Sequence, residues 1–193
     1  MNHYSHRPYL QKELDGLDLS KKTTILELGM GNGSSELIHN FCKENKSVRA
    51  AGFDNHDEWF NKIKNAFTLP NYSFHLIPDW SNIVSAVAES LGNKTDQFDI
   101  VFVDCAPWSA RIDCMDLLSA KTKVFILHDY DYYLNDSPNF FTNKYGKEYN
   151  IEEYTQDSPP TLIMRKKDDT VLLRDRSKRR GYTSQKSTFR HKS

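Results

Sequence analysis

Short runs of uninterrupted apolar residues alternate along this chain with stretches whose apolar positions recur every three or four residues. Unbroken runs of four to eight residues read as strands covered on both faces, and the three-to-four spacing reads as amphipathic helix. The first run, Thr24 to Leu28, enters a glycine-rich segment, after which Leu37, Ile38 and Phe41 give a helix over Ser34 to Glu44. Val48 to Phe53 and Tyr72 to Ile77 read as the next strands, with helices at Glu58 to Phe67 and Ile83 to Leu91. The two strongest strands are FDIVFVD, Phe98 to Asp104, and KVFILHD, Lys123 to Asp129, separated by a helix over Arg111 to Leu118. Both run apolar into an acidic residue. From Tyr130 to Asn150 the period is lost in an aromatic, Asn-rich stretch that reads as loop or broken helix. Strands at Tyr149 to Tyr154 and Thr161 to Met164 close the series, with one weak further strand at Thr170 to Leu173. Strands alternating with helices predict an α/β fold: a doubly wound, mostly parallel sheet with helices on both faces.

Composition narrows this further. With 193 residues, 38% hydrophobic and 27% charged, the chain has one domain's worth of core and is no disordered polymer. The expected division is an N-terminal segment (1–22), a folded domain (23–164) and a C-terminal tail (165–193). No run approaches the ~20 apolar residues of a membrane-spanning helix, and MNHYSHRPYLQKEL lacks the apolar centre of a secretory signal. Three cysteines without Cys-x-x-Cys spacing suggest neither disulfides nor a thiolate zinc site. A soluble, cytoplasmic protein is the expectation. The net charge of zero conceals a segregation: Arg165 to Ser193 holds eleven Lys and Arg against three Asp, a surplus of eight that the rest of the chain offsets. Such a tail can contact phosphates, although blocks of like charge are commonly just solvated.

The most specific local feature is ILELGMGNGS, Ile25 to Ser34, with Gly29, Gly31 and Gly33 following an acidic residue, Glu27, near the end of a first strand. A dinucleotide fingerprint needs its third glycine at position 34, where Ser34 stands. Glycine still allows a tight turn and close approach of a ligand. Asp54, ending the second strand, is placed to accept hydrogen bonds from ribose hydroxyls or to cap the next helix.

The order ELGMGNG, Asp54, Asp79-Trp80, VDCAP and then HD after a fifth strand resembles class I S-adenosylmethionine-dependent methyltransferases. VDCAPWSARIDCMDLL followed by KVFILHDYDYY is similar to a branch carrying an aspartate-x-Ala-Pro segment, a following arginine and a His-Asp pair. The resemblance spans about residues 23 to 164. It implies a Rossmann-like, seven-stranded sheet with S-adenosyl-L-methionine over the first strands and the methyl acceptor over the fourth and fifth. Glu27 and Gly29 to Gly33 would then surround the methionine and ribose part, Asp54 the ribose, and Asp79 with Trp80 the adenine. Core packing is an alternative for Trp80, and Trp59 reads as packing.

Asp104 and Asp129 end consecutive strands, where ligands sit in open α/β sheets. Two neighbouring carboxylates repel and need a cation, a shared proton or a basic partner. A divalent ion such as Mg²⁺ is one answer, and resemblance to metal-dependent O-methyltransferases points the same way, although Cys105, Ala106 and Pro107 replace part of their acidic segment. Without metal, Arg111 bridges the acids and His128 removes the acceptor's proton, unless His128 is a hydrogen-bonded core residue. Cys105 reads as a small buried residue. The resulting expectation is O-methylation of a small molecule or sugar, with Tyr130 to Tyr149 as acceptor wall; nucleic-acid methylation using the basic tail and a catalytically silent cofactor-binding module are the alternatives.

Overall fold

The computed structural model describes residues 4–92, 97–134, 137 and 139–167. Its element order is α1 (Arg7–Asp15), β1 (Thr23–Leu28), α2 (Asn32–Glu44), β2 (Val48–Asp54), α3 (Asp57–Ala66), β3 (Tyr72–Leu76), α4 (Ile83–Leu91), β4 (Phe98–Val103), α5 (Trp108–Leu118), β5 (Thr122–His128), α6 (Phe140–Tyr145), β6 (Tyr149–Tyr154) and β7 (Thr161–Lys166). Short 3₁₀ turns stand at Trp80–Asn82, Ser119–Lys121 and Asp131–Leu134. The strands form one sheet in the order β3-β2-β1-β4-β5-β7-β6. β1 to β5 pair in parallel, and β7 lies antiparallel between β5 and β6. The Rossmann-like, doubly wound α/β class predicted from the apolar runs is the observed one.

Successive side chains of a strand point to opposite faces, so each unbroken apolar run feeds two cores. Ile25, Ala50, Ile100, Phe102, Ile126 and Ile163 pack with Leu10 and Leu14 of α1 and Ile38 and Cys42 of α2. Leu26, Leu28, Phe53, Val101, Val103, Phe125 and Leu127 face the other way, onto residues of α4, α5 and α6.

Several boundaries differ from the sequence reading. The N-terminal segment contributes a helix that was not predicted, opening with Pro8 in its first turn and burying Leu10 and Leu14 one turn apart. Helix α5 starts at Trp108, three residues before Arg111, which places Arg111 inside its first turn. The aromatic stretch contains the 3₁₀ turn and α6. Strand β7 runs to Lys166, so Arg165 and Lys166, assigned to the tail, belong to the sheet; Arg165 bridges Glu13 and Glu152. The strand expected at Thr170 to Leu173 lies outside the described residues, as does most of the basic tail.

Candidate functional site

The strand order reverses between β1 and β4, and in open α/β sheets the crevice beyond the carboxyl ends at such a switch point is where ligands bind. A cleft of about 350 Å³ lies there, lined by Gly29, Met30, Asp54, Asn55, His56, Trp59, Asp104 and Ala106. A second cleft, about 600 Å³, is lined by Asp79, Trp80, Pro107 and Asp113, among others, and shares Asn55 with the first.

The glycine motif builds this place unevenly. Gly29 has φ +83°, and a Cβ there would come within 2.5 Å of the Asp104 carbonyl oxygen and the Cys105 nitrogen. Only glycine lets the turn after β1 lie against the turn after β4. Gly33 does something else: a Cβ on it would meet the Tyr4 ring at 2.6 Å, so it makes room for the N-terminal segment. Gly31 precedes α2 in extended conformation and faces no crowding beyond Ser34 at 3.4 Å.

Asp54 has 5% of its surface exposed on the first cleft. Its Oδ2 accepts from the Met30 N–H at 2.8 Å and its Oδ1 from the His56 N–H at 2.8 Å. Burial raises its pKa above the usual carboxylate value. Each oxygen retains a lone pair, which suits a vicinal diol's donors. Glu27, expected beside the cofactor, is elsewhere: it is fully buried beneath the turn and accepts from the Ser35 hydroxyl at 2.9 Å and from the Tyr72 hydroxyl. Burial pushes its pKa up to about 7. It supports the turn from below and does not line either cleft. Asp79 caps the 3₁₀ turn by accepting from the Ser81 N–H at 2.9 Å, which lowers its pKa, and Trp80 donates from Nε1 to the Ala106 carbonyl at 2.8 Å. Both line the second cleft, Trp80 with only 5% of its surface exposed.

Arg111, 6% exposed, fastens the tips of β4 and β5. Its Nε donates to the Cys105 carbonyl at 2.7 Å; Nη1 donates to the carbonyls of His128 at 2.5 Å and Asp129 at 3.3 Å; Nη2 reaches Asp104 Oδ1 at 2.8 Å and its carbonyl at 3.3 Å. That uses all five guanidinium donors. The Trp108 ring lies 3.9 Å from the guanidinium carbon and stacks at 4.0 Å on Tyr132. Asp104 Oδ2 takes a second cation-capable partner, His128 Nδ1, at 3.1 Å. His128 is buried, and its Nε2 lies 3.0 Å from Ser5 Oγ.

The expectation of Mg²⁺ between Asp104 and Asp129 finds no support in the residues present. Arg111 and His128 lie against the two Asp104 oxygens, the guanidinium occupies the position of the counter-charge, and among the described residues no cluster of three or more His, Cys, Asp and Glu side chains could hold a metal. Asp129 differs from Asp104. It adopts φ 57°, is partly exposed, and its carboxylate has no hydrogen-bond partner among the described residues, while burial raises its pKa. A non-glycine residue held in the left-handed region marks a point where surrounding structure imposes the conformation.

The fold matches a well-populated group of solved structures. Human methyltransferase-like protein 13 in complex with SAH superposes with a TM-score of 0.60 at 15% identity, covering 100% of this chain and 96% of that one. The SAH-bound Podospora anserina methyltransferase PaMTH1 gives 0.56 at 10% identity, covering 87% and 80%. The chain has the class I S-adenosylmethionine-dependent methyltransferase fold. An O-methyltransferase family protein from Burkholderia thailandensis shares that fold too, at TM-score 0.52 and 11% identity, over 84% of this chain and 56% of that one. No protein-family model and no curated protein sequence matches the chain. The sequence reading placed Gly29 to Gly33, Asp54, Asp79, Trp80 and Asp104 at the ligand site, and of these Gly29, Met30, Asp54, Asp79, Trp80 and Asp104 line the clefts; it missed Asn55, His56, Trp59 and Ala106. Trp59, read as packing, lines the first cleft and donates its indole N–H to the Met30 carbonyl. Its position in the first turn of a helix following Asp54 was the available signal. No helix among the described residues is long and apolar enough to cross a membrane.

Proposed function

We propose that this chain transfers a methyl group from S-adenosylmethionine to a hydroxyl oxygen of a small molecule or sugar. The observation that carries the reading is that the Gly29 turn, the Asp54 carboxylate and the tip of β4 at Asp104 line one cleft at the switch point, and that a second cleft lined by Asp79 and Trp80 shares Asn55 with it. The residues present fit the cofactor: Asp54 toward ribose hydroxyls, Asp79 and Trp80 toward an aromatic base, Gly29 and Met30 toward the remainder. Bound there, S-adenosylmethionine would supply an electrophilic sulfonium methyl.

What remains for the protein is alignment and removal of one proton. His128 is a poor candidate for the base. The single Ser5 hydroxyl hydrogen goes to the Pro159 carbonyl at 2.6 Å, so the His128 Nε2 contact runs from N–H to Ser5 Oγ, and Nδ1 faces Asp104 Oδ2 at 3.1 Å. Both ring nitrogens are turned to protein partners and neither to an acceptor in the cleft. Asp129 is the stronger candidate. Its carboxylate, without a hydrogen-bond partner among the described residues, would accept the acceptor hydroxyl's proton, and its burial-raised pKa makes it a stronger base than a solvated aspartate.

The test uses isothermal calorimetry with S-adenosylhomocysteine and a labelled-donor assay against phenols, sugars and RNAs. Asp129→Asn should lower turnover about 100-fold or more while changing S-adenosylhomocysteine affinity less than about twofold. Absence of any affinity for donor or product removes the reading. Affinity without consumption of donor by any acceptor class would favour a silent cofactor-binding module.

A further inference from the structure

We propose that Ser5, in the segment ahead of α1, is a positioning residue of the cleft: it fixes the His128 ring, and through that ring the Asp104 carboxylate. The proposal rests on the cofactor-cleft reading above. Its basis is a chain of contacts across 123 residues of sequence. Ser5 is 2% exposed and held from both sides, donating to Pro159 at 2.6 Å and lying 3.0 Å from His128 Nε2. Because its only hydrogen is spent on a carbonyl that has nothing to donate, Ser5 Oγ is the acceptor for the His128 N–H. On the far side of the ring, Nδ1 meets Asp104 Oδ2 at 3.1 Å, and the other oxygen of Asp104 meets Arg111. The Asp104 side chain, 31% exposed, is the first member of this chain that reaches the cleft.

The segment carrying Ser5 is itself fastened. The Tyr4 ring covers Gly33, the His6 ring meets His128 edge-on at 4.5 Å and Phe102 at 4.9 Å, Arg7 pairs with Glu36 at 2.5 Å, and the Tyr9 hydroxyl donates to Asp157 at 2.5 Å. Ser5 is therefore delivered to His128 by α2 on one side and by the β6–β7 connection on the other. The groups facing His128 are Ser5 and His6 from the segment, Asp104 from β4, and Arg111 from α5, whose Nη1 takes the His128 carbonyl. Two donors, Arg111 and His128, thus set the direction of both Asp104 oxygens, and only the second depends on a residue outside the strand-helix core. Without Ser5 the His128 Nε2–H loses the acceptor that holds the ring from the side opposite Asp104, so the ring is no longer fixed toward Asp104 and the carboxylate loses that part of its orientation.

The experiment combines S-adenosylhomocysteine calorimetry with nitrogen NMR of the histidine rings in ligand-free protein. Ser5→Ala should weaken S-adenosylhomocysteine about tenfold and shift the His128 ring signals. Ser5→Cys, close in shape but a weak acceptor, should do the same and serves if the alanine variant does not fold. In an Asp104→Asn background, Ser5→Ala should cause less than a twofold further loss, because both act on one carboxylate. A folded Ser5 variant with unchanged affinity and unchanged ring signals overturns the proposal; so does a full tenfold loss in the Asp104→Asn background. Failure of the parent protein to bind S-adenosylhomocysteine overturns the methyltransferase reading instead, and the ring signals then still report whether Ser5 holds His128.

Discussion

Each half of the sheet's carboxyl edge carries two acidic side chains, and the fold treats the two pairs by opposite means. On the β1–β2 side, Glu27 and Asp54 are held entirely by neutral donors: the Ser35 and Tyr72 hydroxyls, and the Met30 and His56 N–H groups. Burial therefore dominates there, and both pKa values rise. On the β4–β5 side, Asp104 meets a guanidinium and an imidazole, and the Asp129 carboxylate meets no donor among the described residues. Under the proposed function, neutral donors around Asp54 suit a cleft that would receive a ligand's hydroxyls without a fixed counter-charge in the way. A cation suits the tips of β4 and β5, where Arg111 locks the strand ends, and leaves the Asp129 carboxylate for the proposed chemistry.

The sharpest way to break this contrast is to remove the cation. Arg111→Met leaves the Asp104 carboxylate and four carbonyls without their donor, and loss of one partner of a buried pair typically destabilises by about 3–5 kcal/mol. Ser35→Ala removes a neutral donor from the equally buried Glu27 and should cost only about 1–2 kcal/mol. Urea unfolding of both variants at pH 7 checks the ratio. Equal losses would mean that the charge on Arg111 contributes no more than a hydroxyl does.

Protonation provides the second probe. Glu27, raised to about 7 in the fold against 4.5 in the open chain, binds its proton more tightly when folded, so stability falls as pH rises from 4.5 through 7, by about 3 kcal/mol in all. His6 works in the other sense. Buried against His128 and Phe102 with neither ring nitrogen hydrogen-bonded, it is lowered to about 4 from 6.5, chiefly by burial and then by His128. The unfolded chain then takes up the proton first, and stability falls as pH drops from 6.5 to 4, again by about 3 kcal/mol. The two slopes oppose each other between pH 4.5 and 6.5. Glu27→Gln should unmask the His6 slope, with stability rising across that window, and His6→Phe should unmask the Glu27 slope, with stability falling. Urea midpoints at half-unit pH steps read both, and parallel curves for the two variants would refute the assignment of either group.

Much of this architecture can be read from local pattern, and what cannot is long-range. Strands β1, β4, β5 and β7 show because they are covered on both faces and so are apolar nearly throughout, and Asp54, Asp104 and Asp129 show because an acidic residue closing an apolar run marks the strand's end. Arg111 was expected to bridge the acids, yet four of its five contacts go to carbonyls, whose directions depend on turns that no side-chain pattern encodes. Glu27 sits in a glycine motif that suggests the cofactor, but strand alternation turns it to the opposite face, under α2. The N-terminal segment (1–22) was placed outside the folded domain; its buried Ser5 and His6 are explained by partners in β4, β5 and the β6–β7 connection.

The smallest predicted effect tests how that segment meets the glycine motif. Gly33→Ala gains up to about 1 kcal/mol of helix propensity in the first turn of α2. Against this stand the Tyr4 ring, which the new methyl would approach to 2.6 Å, and the buried His6 Nε2 at 3.1 Å, so the neighbours must give way slightly. The two effects offset, so thermal unfolding should move by less than about 1 kcal/mol, and S-adenosylhomocysteine affinity by less than about threefold, because Gly33 borders Tyr4 and not the cleft. A large loss of affinity with unchanged stability would put Gly33 back on the cofactor side of the comparison. A large loss of stability with affinity intact would instead show that Tyr4 is clamped, and that the segment bearing Ser5 is as much a part of the β1 turn as the glycines are.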